Sequence, residues 1–410
     1  MSGRQDVVAD RNADILVAGT GPVGLIAALA LARAGFSVSL VGPEPRLDDR
    51  RTTALMKPSL AFLDGLGVGA ELAAAGAPLS AMRIVDATRR LVRSRPVTFR
   101  AAEIGEDLFG LNIPNTRLNT VLSEAAAAQA GIARLRTTVE RWELTPGRAV
   151  AHLADGGTAS AALVAAADGR ASPAREAAGI ATRANPLPQA ALVLNFAHER
   201  DHESVSTEFH TETGPFTQVP LPGGRRSSLV WVVRPAEAEA LAALPDEALS
   251  RRVEEAMQSM LGKVTVEPGR QVYPLSTVSP SRFAARRVAL LGEAAHVIPP
   301  IGAQGLNLGI RDVEELTAIA GAHRDDPGGE AALADYDRRR RIDIVARTGA
   351  VNLLNRSLLS GFLPAQLARM AGLGALGAFA PLRGFFMREG LRPGSGLAAL
   401  SGGLREKVGR

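Results

Sequence analysis

The chain has no cysteine, which excludes disulfides, thiol catalysis and cysteine-held iron–sulfur clusters. It has only six histidines, scattered without zinc-ligand spacing, and no metal is expected. Aromatic residues make up 4% of the chain. The concentrated basic patch with interleaved aromatics that nucleic acid calls for is missing, so no nucleic acid is expected. Lysine is scarce, and arginine carries the net charge of +5 and the pI of 10.3. That balance fits anionic membrane surfaces or cofactor phosphates. The opening stretch MSGRQDVVADRNAD is charged throughout and lacks an apolar core, so neither a signal peptide nor an anchor is expected there. What is plentiful is aliphatic. Hydrophobic residues reach 46% of 410, enough for two or three domains with cores of Ala, Leu and Val.

From Ile15 to Ala32 there is no charge, yet the interior is punctuated. Ile15–Ala18 reads as a strand, Gly19-Thr20-Gly21-Pro22-Val23-Gly24 as a turn, Leu25–Ala34 as a helix ending at Gly35, and Ser37–Val41 as a second strand. This is a β-α-β unit with its G-x-G-x-x-G fingerprint in place. Gly19 permits the tight turn, Gly21 lets a pyrophosphate approach the backbone, and Gly24 allows close helix–strand packing. Alone, the fingerprint does not separate FAD from NAD. The acid that normally ends the second strand and binds a ribose would fall at Gly42, and the first acid is Glu44. Glu44 either reaches back to the ribose or is a solvated surface acid.

A second stretch, Arg287–Asp312, has the same logic. Val288–Leu291 is an apolar run closed by Gly292, Pro299, Pro300, Gly302 and Gly305 hold a loop, and from about Leu306 the spacing is that of an amphipathic helix. A helix N-terminus after a glycine-rich crossing suits an anionic or electron-rich group. Between the two stretches, Leu60–Ala75 reads as helix and Met82–Val92 as strand, with Asn115 at a helix start where Asn is also a common N-cap. Ala133–Val164 alternates like a β-meander turning at Asp155-Gly156-Gly157, and Asp168-Gly169 is a further turn. Ala190–His198, Glu203–His210 and Ser227–Val233 alternate as strands and Pro245–Leu261 is helical; Trp231 and His210 either line a pocket or belong to buried packing and a solvated strand face, and neither is assigned to catalysis. Ala331–Leu354 is a helix whose Arg338–Arg341 face solvent. In the tail, the longest uncharged piece, Met370–Leu382, has 13 residues and is too short to span a bilayer. Flanked by Arg369, Arg383 and Arg388, it either lies in the membrane interface or docks on the core.

GEAAHVIPPIGAQGLNLGIRD resembles the second FAD-binding signature of the FAD-dependent aromatic hydroxylases with the p-hydroxybenzoate hydroxylase fold, in the wording of the ubiquinone-biosynthesis hydroxylases. Asp168-Gly169 followed by Ser172 and Arg175 resembles the family's middle motif, and Asp49–Leu55 resembles the family's arginine followed by a short polar-to-apolar helix start, Arg51 aligning with the arginine that reaches the flavin and its pyrophosphate. The resemblance covers about residues 14 to 345 and is weak from Pro186 to Ser281. It implies an α/β chain with a discontinuous Rossmann-like FAD-binding domain (1–185 and 281–345), an inserted sheet-rich substrate domain (186–280) and a helical C-terminal region (346–410). The implied cofactor-binding residues are Gly19, Gly21, Gly24, Glu44, Arg51, Asn115, Asp168, Gly292, Glu293, Gly305, Leu306 and Asn307. Glu293 stands where the family has Asp, one methylene further from the ribityl chain. The implied chemistry is that NADPH or NADH reduces FAD, oxygen adds to give a flavin hydroperoxide, and its distal hydroxyl passes to a prenylated phenol of ubiquinone biosynthesis. The cofactor carries that chemistry, so no catalytic residue is assigned. The resemblance further implies a cytoplasmic chain, peripheral on the inner membrane, with biosynthetic complex partners. Two other readings stay open: a lipid oxidoreductase of this fold without oxygen insertion, and a non-catalytic subunit of such a complex.

Overall fold

The uncharged run after Asp14 splits into two elements because its glycines interrupt it. Arg11–Ala18 is a strand and Pro22–Arg33 a helix, in a computed structural model that describes residues 11–45, 49–88, 93–299, 304–359 and 379–391. Gly19 between them has φ +108°, a backbone state that side chains disfavour, and an added Cβ would lie 2.2 Å from the Ala167 carbonyl oxygen. Pro22 opens the helix with its preset φ, and Arg33 lies in the last turn, where the dipole favours a cation. From Gly24 to Leu31 every residue is buried, so the helix is apolar all round. Each fully buried Leu or Ile there stabilises the fold by roughly 1.5–3 kcal/mol.

Arg11–Ala18 lies inside an eight-stranded sheet. Thr158–Ala166 and Val38–Val41 flank it in parallel, and Val288–Leu290 and Ile132–Leu135 extend the sheet outward, also in parallel. Parallel strands are covered on both faces, which is why these read as continuous apolar runs. Ala284–Ala285 pairs antiparallel with Val288–Leu290, and the strands Val139–Leu144 and Ala149–Leu153 branch from Thr158–Ala166. The meander is therefore shorter than expected, because Ile132–Leu135 leaves it to pair with Val38–Val41. Register decides where the site lies. Ala18 pairs with both Ala166 and Val41, and Ala166 pairs with Leu290. Four strands therefore end level, and Gly19, Gly42, Asp168 and Gly292 emerge along one carboxyl edge, the place where open parallel sheets bind ligands.

The second eight-stranded sheet runs Val264–Val266, Thr182–His198, Arg226–Val233, Pro215–Pro220, Val205–His210, Ala81–Asp86, Val97–Arg100, with Gln271–Pro280 also pairing with Thr182–His198. It takes in Ala81–Arg100 as well as the 186–280 stretch. Alternation sends Leu192, Leu194, Phe196, Phe209, Phe216 and Trp231 to one face, in a core shared with the helices Pro235–Ala242 and Asp246–Ala256. Trp231 packs edge-on against Phe216 at 5.1 Å, and buried His210 bonds to Glu208 at 2.7 Å, so both serve packing. A three-stranded sheet, Thr52–Met56, Gly110–Pro114 and Ala77–Leu79, completes the α/β architecture, and Gln304–Ala322 and Glu330–Leu359 form its C-terminal helices.

Several boundaries differ from expectation for local reasons. Thr52–Met56, read as a helix start, is a strand whose β-branched threonines pair with Ile113 and Pro114. The strand from Ala81 stops at Asp86, whose carboxylate accepts from both the amide and the hydroxyl of Thr88, and residues 89–92 lie outside the described residues. Leu60–Ala75 is two helices, Lys57–Gly65 and Gly69–Ala75, broken where Gly67 takes φ +71°. The helix expected to Leu261 ends at Ala256, ahead of Gln258 and Ser259 in left-handed conformation. Most of the 358–386 tail lies outside the described residues. Within Ala380–Leu391, Met387 is buried beside Phe109, and Arg383 pairs with Glu103 at 2.6 Å. No helix among the described residues is long and apolar enough to cross a membrane.

Candidate functional site

The glycine turn presents backbone donors at the carboxyl edge. Gly21 precedes the Pro22–Arg33 helix in extended conformation, no side chain caps it, and no acid lies in the first turn. Its first amides and the positive dipole end therefore face outward. The two inner glycines play different parts. A Cβ on Gly24 would lie 1.9 Å from the Gly19 carbonyl oxygen, so the fold itself requires Gly24. A Cβ on Gly21 would meet nothing within 4 Å, so Gly21 keeps space for a ligand. Asp168 stands beside this turn. Its Oδ2 accepts from the Ala174 amide at 3.0 Å, while its Oδ1 is buried without a partner. Burial pushes this carboxyl above the ordinary carboxylate range, against the hydrogen bonds from Ser172 and Ala174. An orphaned buried acceptor costs about 1–3 kcal/mol, a penalty that a cofactor hydroxyl would remove. The residues present thus fit a dinucleotide whose pyrophosphate lies over the turn.

The missing acid at Gly42 has a steric cause. A Cβ there would lie 2.8 Å from Thr20 Cγ2, and the Thr20 hydroxyl donates to the Pro43 carbonyl at 2.6 Å. Thr20 fills the space an acidic side chain would need. Glu44 lies beyond, more than half exposed, paired with Arg134 at 3.3 Å and Arg136 at 2.6 Å.

Arg51 and Asn115 converge on a residue absent from the sequence-derived set, Asp49. Arg51 donates from Nε at 2.9 Å and from Nη2 at 2.7 Å, and Asn115 Nδ2 donates to the same carboxylate at 2.9 Å. Burial raises the Asp49 carboxyl, but the hydrogen bonds from Arg51 and Asn115 outweigh it and leave the group below its ordinary value. Asn115 is the first residue of its helix, with Pro114 at the cap, so it does not act as an N-cap. Its Oδ1 accepts instead from the Thr53 hydroxyl at 2.7 Å. The Arg51 guanidinium lies 5.4 Å from the Tyr273 ring centre, and among the described residues its Nη1 makes no hydrogen bond. The hydrogen bond to Asp49 raises its hold on its proton, with a smaller contribution from exposed Glu293.

The Gly292 edge is suspended from a buried ionic network that sequence reasoning missed. Asp312, fully buried on Gln304–Ala322, accepts at Oδ2 from the Gly292 amide (2.8 Å) and His296 Nε2 (2.8 Å), and at Oδ1 from Arg340 Nε (2.7 Å). Arg340, buried on Glu330–Leu359, also donates from Nη1 to Asp343 at 2.9 Å. Burial opposes its charge more than any one neighbour favours it, yet Asp312, Tyr336 and Asp343 together outweigh burial and hold Arg340 protonated. Tyr336, one turn earlier, donates to the Leu290 carbonyl at 2.8 Å. A Cβ on Gly292 would lie 2.9 Å from Val23 Cγ2, and one on Gly309 2.7 Å from the same atom, so the two helix starts pack side by side. Gly305 and Leu306 lie in the first turn of Gln304–Ala322, with Gly305 exposed. Asn307 is spent within the protein. Its Oδ1 accepts from the Met56 amide (2.9 Å) and Ser59 hydroxyl (2.7 Å), and its Nδ2 donates to the Ala54 carbonyl (2.8 Å).

Comparison with known proteins agrees with this geometry. The family described as FAD binding domain matches residues 12–348. Ubiquinone hydroxylase UbiL of Rhodospirillum rubrum is 34% identical over 400 residues, covering 93% of this chain and 90% of that protein. The 3-demethoxyubiquinol 3-hydroxylase of Escherichia coli is 29% identical over 94% of this chain and 98% of its own. Among solved structures, PqsL of Pseudomonas aeruginosa, in complex with 2-aminobenzoylacetate, superposes with a TM-score of 0.74 at 25% identity, over 89% of this chain and all of that one. The p-nitrophenol 4-monooxygenase PnpA of Pseudomonas putida shares the fold with a TM-score of 0.76 at 20% identity, over 94% and 98% of the two chains. Matched by the family over residues 12–348 and by a hydroxylase at 34% identity over 93% of its length, the chain belongs to the FAD binding domain family and, within it, to the FAD-dependent hydroxylases.

Proposed function

We propose that this hydroxylase uses NADPH or NADH and dioxygen to hydroxylate a prenylated phenol in ubiquinone biosynthesis. The observation that carries the reading is the 34% identity to a ubiquinone hydroxylase over 93% of the chain. When bound, the flavin supplies electron transfer and oxygen activation, and the chain supplies binding, orientation and exclusion of water. Gly19 and Gly24 shape the turn and Gly21 keeps it open, so that it would hold the pyrophosphate over the uncapped start of Pro22–Arg33, with Glu44 at the ribose end. Asp168 would accept a cofactor hydroxyl at Oδ1 and Arg51 would offer Nη1 to the flavin, while Asn115 fixes Asp49 behind it. Glu293 lies on the ribityl side. The amides of Gly305, Leu306 and Asn307 would serve the electron-rich edge of the ring, since a helix start stabilises negative charge.

The test is product analysis of the purified, FAD-loaded protein with NADPH, a prenylated phenol and ¹⁸O-labelled dioxygen. Substrate-stimulated NADPH oxidation with one labelled oxygen in the product is expected. Label entering from water, or oxidation of the substrate without oxygen gain, would overturn the hydroxylase reading in favour of a plain oxidoreductase.

A further inference from the structure

We infer that the second sheet carries, on the face turned away from the cofactor, a separate site for a small oxyanion that also bears a hydroxyl. The site is a cavity of about 280 Å³ whose lining includes Arg83, Arg200, Thr207 and Gln218. Strand alternation fixes which face it occupies. Thr207 lies two residues from Phe209, and Gln218 two residues from Phe216, both members of the core shared with Asp246–Ala256. Asn195, which alternates with the core residues Leu194 and Phe196, instead donates to the Arg50 carbonyl beside the flavin-facing arginine. The cavity and the cofactor thus lie on opposite sides of one sheet.

Two of the residues lining the cavity carry a buried polar atom that the fold leaves without a partner. Thr207 and Gln218 are both fully buried, and Thr207 Oγ1 and Gln218 Oε1 have no hydrogen-bond partner. The direction of the Gln218 amide follows from a chain of bonds. His198 Nδ1 lies 2.7 Å from the Arg200 carbonyl, which can only accept, so that nitrogen carries the proton. His198 Nε2 then accepts from the Ser227 hydroxyl at 2.9 Å, and Ser227 Oγ accepts from Gln218 Nε2 at 2.9 Å. Burial keeps His198 below its ordinary value, in agreement with a neutral ring. Gln218 Oε1 is left as an acceptor, and beside it the Thr207 hydroxyl accepts or donates.

The walls supply charge. Arg83 pairs in register with Thr207 across adjacent parallel strands, so its side chain rises on the same face. Among the described residues its side chain bonds only to Met260 Sδ at 3.5 Å, and Arg200 reaches only the Ser259 and Met260 carbonyls at 3.4 and 3.3 Å. Neither guanidinium has a carboxylate partner among the described residues. His202 adds no cation, since its Nε2 donates to the Leu221 carbonyl and its Nδ1 accepts from the Ser204 amide. The acids Asp201 and Glu203 are exposed at the rim, and Asp201 Oδ1 is taken by the Glu203 amide. Two guanidiniums call for an oxyanion, and the two unpartnered atoms call for an O–H donor. Hydrogenphosphate and a short hydroxycarboxylate such as lactate share that chemistry.

The experiment is calorimetric titration of the full-length, FAD-loaded protein with sodium phosphate and, separately, sodium lactate, against sodium chloride at equal ionic strength. Saturable binding of either probe is expected, and the one that binds names the source. Thr207→Val removes only an unpartnered hydroxyl, so its melting temperature in chloride stays level or rises while its affinity for the probe falls about ten-fold. Arg83→Met weakens binding at least as much. The inference is overturned if neither probe binds up to about 10 mM, which would leave ordered water as the occupant of the cavity. It is equally overturned if binding survives both substitutions, which would mark an adventitious ion only.

Discussion

Arg340→Met perturbs the cofactor edge from behind without touching it. The Arg340 side chain is 2% exposed and its partner Asp312 0%, so the substitution strands a carboxylate in the protein interior. Removing one partner of a buried pair costs about 3–5 kcal/mol. Two donors to Asp312 survive, the Gly292 amide and His296, which places the expected loss near the lower limit, about 3 kcal/mol. In a chain of this size that lowers the melting temperature by about 3–4 °C. Arg338 on the same helix is the control. Its pair with Asp335 is 68% and 34% exposed, so Arg338→Met costs at most about 0.5 kcal/mol. Urea unfolding of both variants, with flavin content measured after gel filtration, separates the cases. The double variant Arg340→Met/Asp312→Leu distinguishes a self-contained pair from one that suspends the loop. An apolar replacement often restores stability, but here the Gly292 amide and His296 would lose their acceptor, so no recovery is expected. Arg340→Met behaving like Arg338→Met, or a double variant as stable as the parent, would refute the reasoning.

The two inner glycines separate folding from binding. Gly21→Ala leaves the cofactor-free stability within about 0.5 kcal/mol of the parent but weakens FAD binding in a flavin-fluorescence titration, whereas Gly24→Ala destabilises the free protein itself. Burial raises the Asp168 carboxyl in the folded state, so its contribution is fully present below the unfolded value of about 3.9 and is lost as pH rises through the folded value. Cofactor-free Asp168→Asn, which still accepts from Ala174, is therefore more stable than the parent at pH 7 and equal to it at pH 3, as thermal unfolding across pH will show. Asp49 has the opposite sign. Its folded value is depressed, so its contribution is present above about pH 3.9 and is lost as pH falls through the folded value, and Arg51→Met should flatten that acid limb. Asn307→Leu removes three hydrogen bonds between Gln304–Ala322 and the chain at Ala54–Ser59, at a cost of about 2–4 kcal/mol in urea unfolding.

What the sequence shows of this fold is what its local spacing dictates. The parallel strands are legible because burial on both faces forces unbroken apolar runs at Ile15–Ala18 and Val288–Leu291, and the glycine turn because sterics admit little else at Gly19 and Gly24. The exchange of helix for strand at Thr52–Met56 was hidden, since only pairing with Gly110–Pro114, far along the chain, decides it. Likewise the empty position at Gly42 is explained only by Thr20, which arrives from the neighbouring strand end. The Asp312–Arg340 pair is a different case, because a signal was present and went unread. Leu308, Asp312 and Leu316 lie at successive i, i+4 positions and are 1%, 0% and 2% exposed, so Asp312 interrupts an apolar stripe. Tyr336, Arg340 and Ile344 repeat the pattern on the next helix at 0%, 1% and 5%. Within the run Arg338–Arg341, solvent is a sound reading for Arg338, but Arg340 shares a face with Tyr336 and Ile344, which water does not reach. A lone charge on a buried stripe must be paired, and two such stripes on consecutive helices carry one charge of each sign. Solvation by default is therefore the wrong prior for any arginine that keeps i−4 and i+4 company with core residues, however many exposed arginines stand beside it.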